Sequence, residues 1–261
     1  MTAAARPVGE HLRQWRQRRR MSQLDLASEA GISTRHLSFV ETGRAQPSRE
    51  MLLHLAERLE VPLRDRNVLL VAAGFAPRFA ERPLDDDAMR PARRAVELIL
   101  AGHEPHPAIA VDRHWQLVSA NRAVPPLLAG AARVLLQPPV NVLRLSLHPD
   151  GLAPRILNLA EWRAHLLARL RRQIELTADD TLIALLAELV SYPGGVSSSP
   201  PADHGDIAVP LRLATRSGVL SLLGTTTVFG TPVDVTLSEL ALETFFPADT
   251  ATAEMLRGLA A

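Results

Sequence analysis

Cysteine and lysine are both missing from this chain of 261 residues. Without cysteine there is no disulfide and no thiolate metal site, and a reducing compartment is the natural setting. All 29 basic side chains are therefore arginine, which a GC-rich genome accounts for more simply than selection for guanidinium chemistry. No run of about 18 apolar residues occurs, so no membrane span is expected. The start, MTAAARPVGEHLRQWRQRRR, lacks the apolar stretch that follows the basic residues of a secretory signal. Cytoplasmic localisation is the resulting expectation. Gly-rich phosphate loops are absent too, and Ser197–Ser199 lies in a Gly/Ser/Pro stretch without the Gly-x-Ser-x-Gly context of a nucleophile elbow.

What is present suits a globular protein. Hydrophobic residues make up 47% and charged residues 22%, and the length allows two modest domains or one large one. The net charge of +1 hides an asymmetry. Residues 1–80 hold 13 arginines against 8 carboxylates, whereas residues 81–261 hold 16 against 20. Excess positive charge in one part points to a polyanionic partner there.

That part contains the most informative stretch, Met21 to Pro47 (MSQLDLASEAGISTRHLSFVETGRAQP). Leu24, Leu26, Ala27 and Ala30 have helical spacing, with Ser22 or Gln23 at the start. Gly31 permits a sharp positive-φ turn, and Ile32 plugs the corner. Ser33 can cap a second helix whose apolar side is Leu37, Val40 and, in one reading, Phe39. Thr34, Arg35 and Ser38 are left facing outward. The spacing is that of a helix-turn-helix. A first helix is expected over Val8–Arg20, with Leu12 and Trp15 inward and Arg13, Arg16, Arg18, Arg19 and Arg20 mostly outward. A fourth follows Pro47-Ser48, with its stripe at Met51, Leu52, Leu55, Ala56 and Leu59. A fifth opens at Pro62 and ends at Gly74.

ERPLDDDAMR, residues 81–90, breaks the pattern and is the expected linker. A helix from Pro91 to about Ala101 follows it. Ala108–Val111 and Trp115–Ser119 read as two strands, Asn121–Leu128 as a short helix, and Pro154–Glu175 and Ala178–Val190 as longer ones. Pro193–Gly205 reads as a mobile loop. Ile207–Thr215, Val219–Val228 and Val233–Leu242 predict a three-stranded antiparallel meander, closed by a helix over Ala251–Leu259. The expected architecture is an all-α five-helix domain over residues 1–80 and an α+β domain with five strands over residues 91–261.

The segment around Gln23, Ala27, Gly31, Leu37, Glu41, Gly43 and Pro47-Ser48 resembles the Xre/Cro/C1-repressor class of helix-turn-helix domains, over roughly residues 8–75. That resemblance implies a lambda-repressor-like fold, a phosphate contact from the Gln opening the second helix, and a third helix in the major groove. Carried over by position, Gln23, Ser33 and Arg44 become candidates for contacting the DNA backbone. Thr34, Arg35, Ser38 and Phe39 become candidates for contacting base edges, and Glu41 braces the loop after the helix. The physical chemistry agrees with it. Arg35 can fork onto a guanine, worth roughly 1–3 kcal/mol of discrimination, and Thr34 and Ser38 are short enough for a groove about 12 Å wide. Phe39 either meets a thymine methyl or belongs to the core. The arginines of the first helix either add salt-sensitive phosphate attraction or form a solvated face.

HPAIAVDRHWQLVSANRA (His106–Ala123), NVLRLSLHP (Asn141–Pro149) and FGTPVDVTLSELALETFFPAD (Phe229–Asp249) resemble the ligand-binding domain of MmyB-like transcription regulators, over about residues 92–260. The resemblance implies a PAS-like fold and a small-molecule ligand, a fatty acid being one type. Walls for an acyl chain are available in Trp115, Leu117, Leu127, Leu128, Leu143, Leu145, Trp162 and Leu166, and Arg144 or Arg155 can pair with a carboxylate. Trp and Leu at such spacings are more often plain core. His103, His106 and His114 are close in sequence but match no metal-ligand spacing, so neither metal nor cofactor is expected. No enzyme activity is expected either, because no set of titratable groups converges on a catalytic pattern. The resulting expectation is a sequence-specific DNA-binding transcription regulator, acting as a homodimer on a double-stranded operator and responding to a small apolar ligand such as a fatty acid. The alternative is a C-terminal domain that only dimerises or docks a partner.

Overall fold

The computed structural model describes residues 6–194 and 209–260. Two compact units divide the chain. One runs to Arg82 and also takes in Pro232–Ser238; the other holds Pro83–Thr231 and Glu239 onward.

The first unit is built of α1 (Val8–Arg18), α2 (Gln23–Glu29), α3 (Thr34–Glu41), α4 (Arg49–Arg58) and α5 (Leu63–Ala72). Serine starts three of these helices. Ser22 accepts from Asp25 N while the Asp25 carboxylate accepts from Ser22 N, a reciprocal cap. Ser33 and Ser48 accept from His36 N and Met51 N. Leu12, Leu26, Leu37, Leu52, Leu55, Leu59, Leu69 and Leu70 meet in a core where none is more than 1% exposed. Gly9 lets α1 approach α3: a Cβ there would lie 2.4 Å from Val40 O. Two expectations need correcting. Leu24 is 65% exposed, because at seven residues α2 has one inward face and Leu26 and Ala27 fill it. Arg16 is buried rather than outward, because it lies on the Leu12–Trp15 face of α1 and has a partner there.

A helical turn at Val235–Ser238 completes this unit. Val235 is fully buried, its N–H donates to Ala80 O at 2.8 Å, and Ala80 bridges to Asp234. Arg82 binds the Asp234 carboxylate at 3.3 Å.

In the second unit, Asp86 caps a short turn at Asp87–Met89 that leads directly into α6 (Arg90–Gly102). Then come β1 (Ala108–Val111), β2 (Leu117–Ala120), α7 (Val142–Leu147), α8 (Leu159–Thr177), α9 (Asp180–Ser191), β3 (Leu211–Thr215) and β4 (Gly218–Val228). After the helical turn of the first unit, α10 (Val235–Ser238), follow β5 (Ala241–Pro247) and α11 (Thr250–Ala260). The sheet is antiparallel throughout, in the order β2-β1-β5-β4-β3. Alternation along the strands sorts its two faces. Ala108, Ala110 and Leu242 pack with Val96 and Leu100 of α6 on one side. Val111, Leu220 and Leu222 join Trp162, Leu166, Leu170, Leu182 and Leu189 of α8 and α9 on the other.

Several boundaries differ from expectation for local reasons. The third strand of the meander begins at Ala241, not Val233, because the Asp234 carboxylate accepts from Thr236 N and turns Val235–Ser238 into a helical turn. α8 starts at Leu159, since Pro154 sits in a separate turn and Ile156 bridges to Leu213. The helix expected over Asn121–Leu128 shrinks to a turn at Pro125–Leu128, where two prolines remove N–H donors. α7, not expected, is capped by Asn141 through Arg144 N at 3.0 Å. The loop expected over Pro193–Gly205, with Ser197–Ser199, falls mostly outside the described residues.

Candidate nucleic-acid interface and ligand cavity

The turn between α2 and α3 rests on Gly31, whose φ of +64° favours glycine even though a Cβ there would meet nothing. Ser33 is exposed and caps α3. α3 turns Leu37 and Val40 into the core and leaves Arg35 exposed and Thr34, Ser38 and Phe39 half-buried. The Phe39 ring lies outside the buried cluster. Two guanidiniums sit over it, Arg35 at 5.3 Å and Arg44 at 6.0 Å from its centroid. Phe39 thus acts as a shelf that restrains both cations by cation–π attraction. Thr34, Arg35, Ser38, Phe39 and Arg44 share this one surface of α3 and the loop after it.

Behind that surface is a buried polar knot. Glu41, at the end of α3, accepts from Arg16 Nε at 2.6 Å and Nη2 at 2.9 Å, and from Gln23 Nε2 at 2.8 Å. Arg16 Nη1 also donates to Met21 O at 2.8 Å. Gln23 therefore spends one amide proton on Glu41. Glu41 braces α1, α2 and α3 against one another, a wider role than securing one loop. Arg19 is likewise engaged, donating to Leu59 O and Glu60 O at 2.8 and 3.0 Å. The exposed cations of α1 and its end are Arg13, Arg18 and Arg20.

The second unit holds a cavity of about 160 Å³ between the sheet face and α7–α8. Trp115, Leu117, Leu127, Leu128, Leu143, Leu145, Trp162 and Leu166 all line it. Trp115 reaches it from a backbone with φ of +64°, unusual for a bulky residue. The Asp112 carboxylate holds that turn by accepting from His114 N and Gln116 N, both at 2.8 Å, and the indole N–H donates to Gln173 Oε1. Trp162 Nε1 donates to Ser146 Oγ at 3.0 Å, so both tryptophans present apolar faces with their polar atoms satisfied.

Arg144 and Arg155 are not part of this lining. Arg144 forks onto Glu188 at 2.5 and 2.7 Å, and Arg155 donates to Leu127 O. The Arg144 guanidinium holds Glu188 below the usual carboxylate range, and burial with a hydrogen bond to Glu188 pushes Tyr192 up to about 12. Among the described residues, the polar groups that do line the cavity are Ser146, His165, Arg169 and Glu243. Arg169 donates to Glu243 at 2.5 and 2.9 Å and to Thr226 Oγ1 at 2.7 Å, and stands 4.6 Å over the Trp115 ring. Burial, then the Arg169 charge, lowers the His165 pKa. None of these groups was among the expected ligand contacts, although two signals in the sequence could have found His165, Arg169 and Glu243. Trp162, His165, Leu166 and Arg169 have the spacing of one helix face, and Glu243 is a carboxylate inside an apolar strand.

Among the described residues no three His, Cys, Asp or Glu side chains gather as a metal site, and no helix is long and apolar enough to cross a membrane. The family of the MmyB-like transcription regulator ligand binding domain matches residues 92–259, and the helix-turn-helix family matches residues 12–65. No curated protein matches the chain.

Proposed function

Because this chain belongs to the MmyB-like transcription regulators, with a helix-turn-helix ahead of a ligand-binding domain, we propose that it reads a specific operator and that a small apolar ligand tunes that reading. Residues 1–80 are the main body of the reader, and residues 91–261 of the sensor. The observation that carries the proposal is the outward face of α3, where Arg35 is exposed beside the short side chains of Thr34 and Ser38. Arg35 and Thr34 are assigned to base edges; Gln23, Ser33 and Arg44 are assigned to phosphates. Ser38 and Phe39 complete the surface that meets the groove. One such head buries too little surface for tight binding, so a homodimer with half-sites about 34–36 Å apart is the working assembly. Its place of action is the cytoplasm, with the DNA.

The cavity supports a sensor over a pure docking module, since a docking module needs no space behind its sheet. Its volume is close to that of a cavity of about 150 Å³ that admits benzene. It is below the ~300–1,000 Å³ of drug-sized pockets. A short chain or a ring therefore fits as it stands, and a long fatty acid requires the walls to part. The ligand acts only if its affinity differs between two arrangements of the heads.

Selection of bound duplexes from random DNA by the full chain tests the reading. An enriched two-fold-symmetric sequence whose affinity changes with hexanol is expected. Binding without sequence preference refutes the operator, and affinity indifferent to every cavity ligand refutes the sensor.

A further inference from the structure

The charge at the polar end of the cavity is already balanced. Arg169 is the cation that a ligand carboxylate would seek, and Glu243 holds it bidentately. The Glu243 side chain is 8% exposed, lines the cavity, and also accepts from Thr226 Oγ1 at 3.1 and 3.2 Å. Glu243 meets the edge of the guanidinium, and one of its faces lies over the Trp115 ring. Arg169 itself is one-third exposed, but the buried Glu243 carboxylate already takes its charge, so a second carboxylate entering here would stand beside a like charge with no free cation to share, which is unfavourable. A neutral head meets no such penalty. Ser146 Oγ accepts from Trp162, and among the described residues its hydroxyl proton remains free to donate. His165, one helical turn before Arg169, adds an imidazole to the lining.

We propose that this cavity selects uncharged apolar ligands bearing one hydrogen-bonding group, such as an alcohol, an ester or a ketone, and that Glu243 excludes the corresponding free acids by occupying Arg169. The selectivity rests on the reading of the cavity as the ligand site, and it narrows that reading from apolar molecules in general to uncharged ones. Glu243 acts as an internal carboxylate: it takes the place at Arg169 that the acid head of a ligand would take.

Trp115 and Trp162 line the cavity, so tryptophan fluorescence of the full chain reports occupancy. Hexanol and hexanoate, matched in chain length and compared at neutral pH, are the probes. Hexanol should bind at least about tenfold tighter, the scale of a charge-assisted hydrogen-bond pair. Glu243→Gln keeps the shape and frees Arg169, and should improve hexanoate relative to hexanol by a similar factor. Arg169→Gln leaves Glu243 unopposed and should worsen hexanoate relative to hexanol, which provides a second route if Glu243→Gln fails to fold. Hexanoate binding as tightly as hexanol to the unaltered protein overturns the selectivity while leaving the sensor reading intact. A preference for hexanol that neither substitution alters overturns the role of Glu243. Saturation by neither probe refutes the cavity as a ligand site, and the selectivity with it.

Discussion

Replacing Glu41 by alanine should strongly destabilise the helical unit, although Glu41 is not assigned to touch DNA. The side chain is 1% exposed and its partner Arg16 is 10% exposed. The substitution removes three hydrogen bonds and strands a buried guanidinium, whose Nε and Nη2 lose their acceptor while Nη1 keeps Met21 O. Breaking a buried pair from one side costs about 3–5 kcal/mol. A unit of this size has about 4–13 kcal/mol in total. At roughly 4–8 °C per kcal/mol, the helical transition in calorimetry of the full chain should fall by at least about 12 °C. The transition of the α+β unit should move far less. Because the pair is desolvated, added salt should not erase the loss. The double substitution Arg16→Met with Glu41→Leu replaces charge by packed apolar volume and should recover most of the stability. A cost for Glu41→Ala below about 1 kcal/mol, or a double variant no better than the single one, would refute the reasoning.

Arg35→Ala should lose preference at one operator position, by roughly 1–3 kcal/mol, with little change in non-specific affinity; equal loss on every sequence in a competition assay would assign Arg35 to the DNA backbone. Gly9→Ala puts a Cβ 2.4 Å from Val40 O and 2.5 Å from Glu41 O. It should cost about 1–3 kcal/mol by forcing α1 and α3 apart, together with weaker operator binding; an unshifted denaturation midpoint would contradict that. Glu188 is held ionised by Arg144, so its contribution to stability is complete above the ordinary glutamate value of 4.5 and is lost as pH falls through the lowered value. Arg144→Met should flatten that acid limb in denaturation measured across pH, and an unchanged slope would show that the pair is not responsible.

Much of this architecture was legible because it is local. Ser22, Ser33 and Ser48 cap helices within three residues of themselves, Gly31 marks its own turn, and the strands β1 and β4 announce themselves by apolar and β-branched content; the Asp86 cap, inside the expected linker, was missed. The cavity walls were legible in kind, since large apolar residues must be buried somewhere. What sequence pattern hid is pairing over distance. Arg16 reads as one of several surface arginines until α3 brings Glu41 to it from 25 residues away. Arg144 reads as a ligand partner until α9 supplies Glu188, 44 residues on. Arg169 and Glu243 are 74 residues apart on a helix and a strand, and no periodicity in either element names the other. The strand misread at Val233 has a different cause. Its β-branched residues favour extension, and one Asp side chain overrides them.

The placement of Pro232–Ser238 inside the helical unit bears on how this protein is made and handled. Val235 is buried and hydrogen-bonded to Ala80, and the Arg82–Asp234 pair spans 152 positions. During synthesis the helical unit cannot finish folding until residue 238 has left the ribosome, and long sequence separations of this kind slow folding. A fragment cut after residue 82 would lack the segment that pairs with Ala80 and Arg82. Grafting residues 232–238 onto its end through a short glycine tether should restore it, so that an isolated reader becomes obtainable only by redesigning its C-terminus.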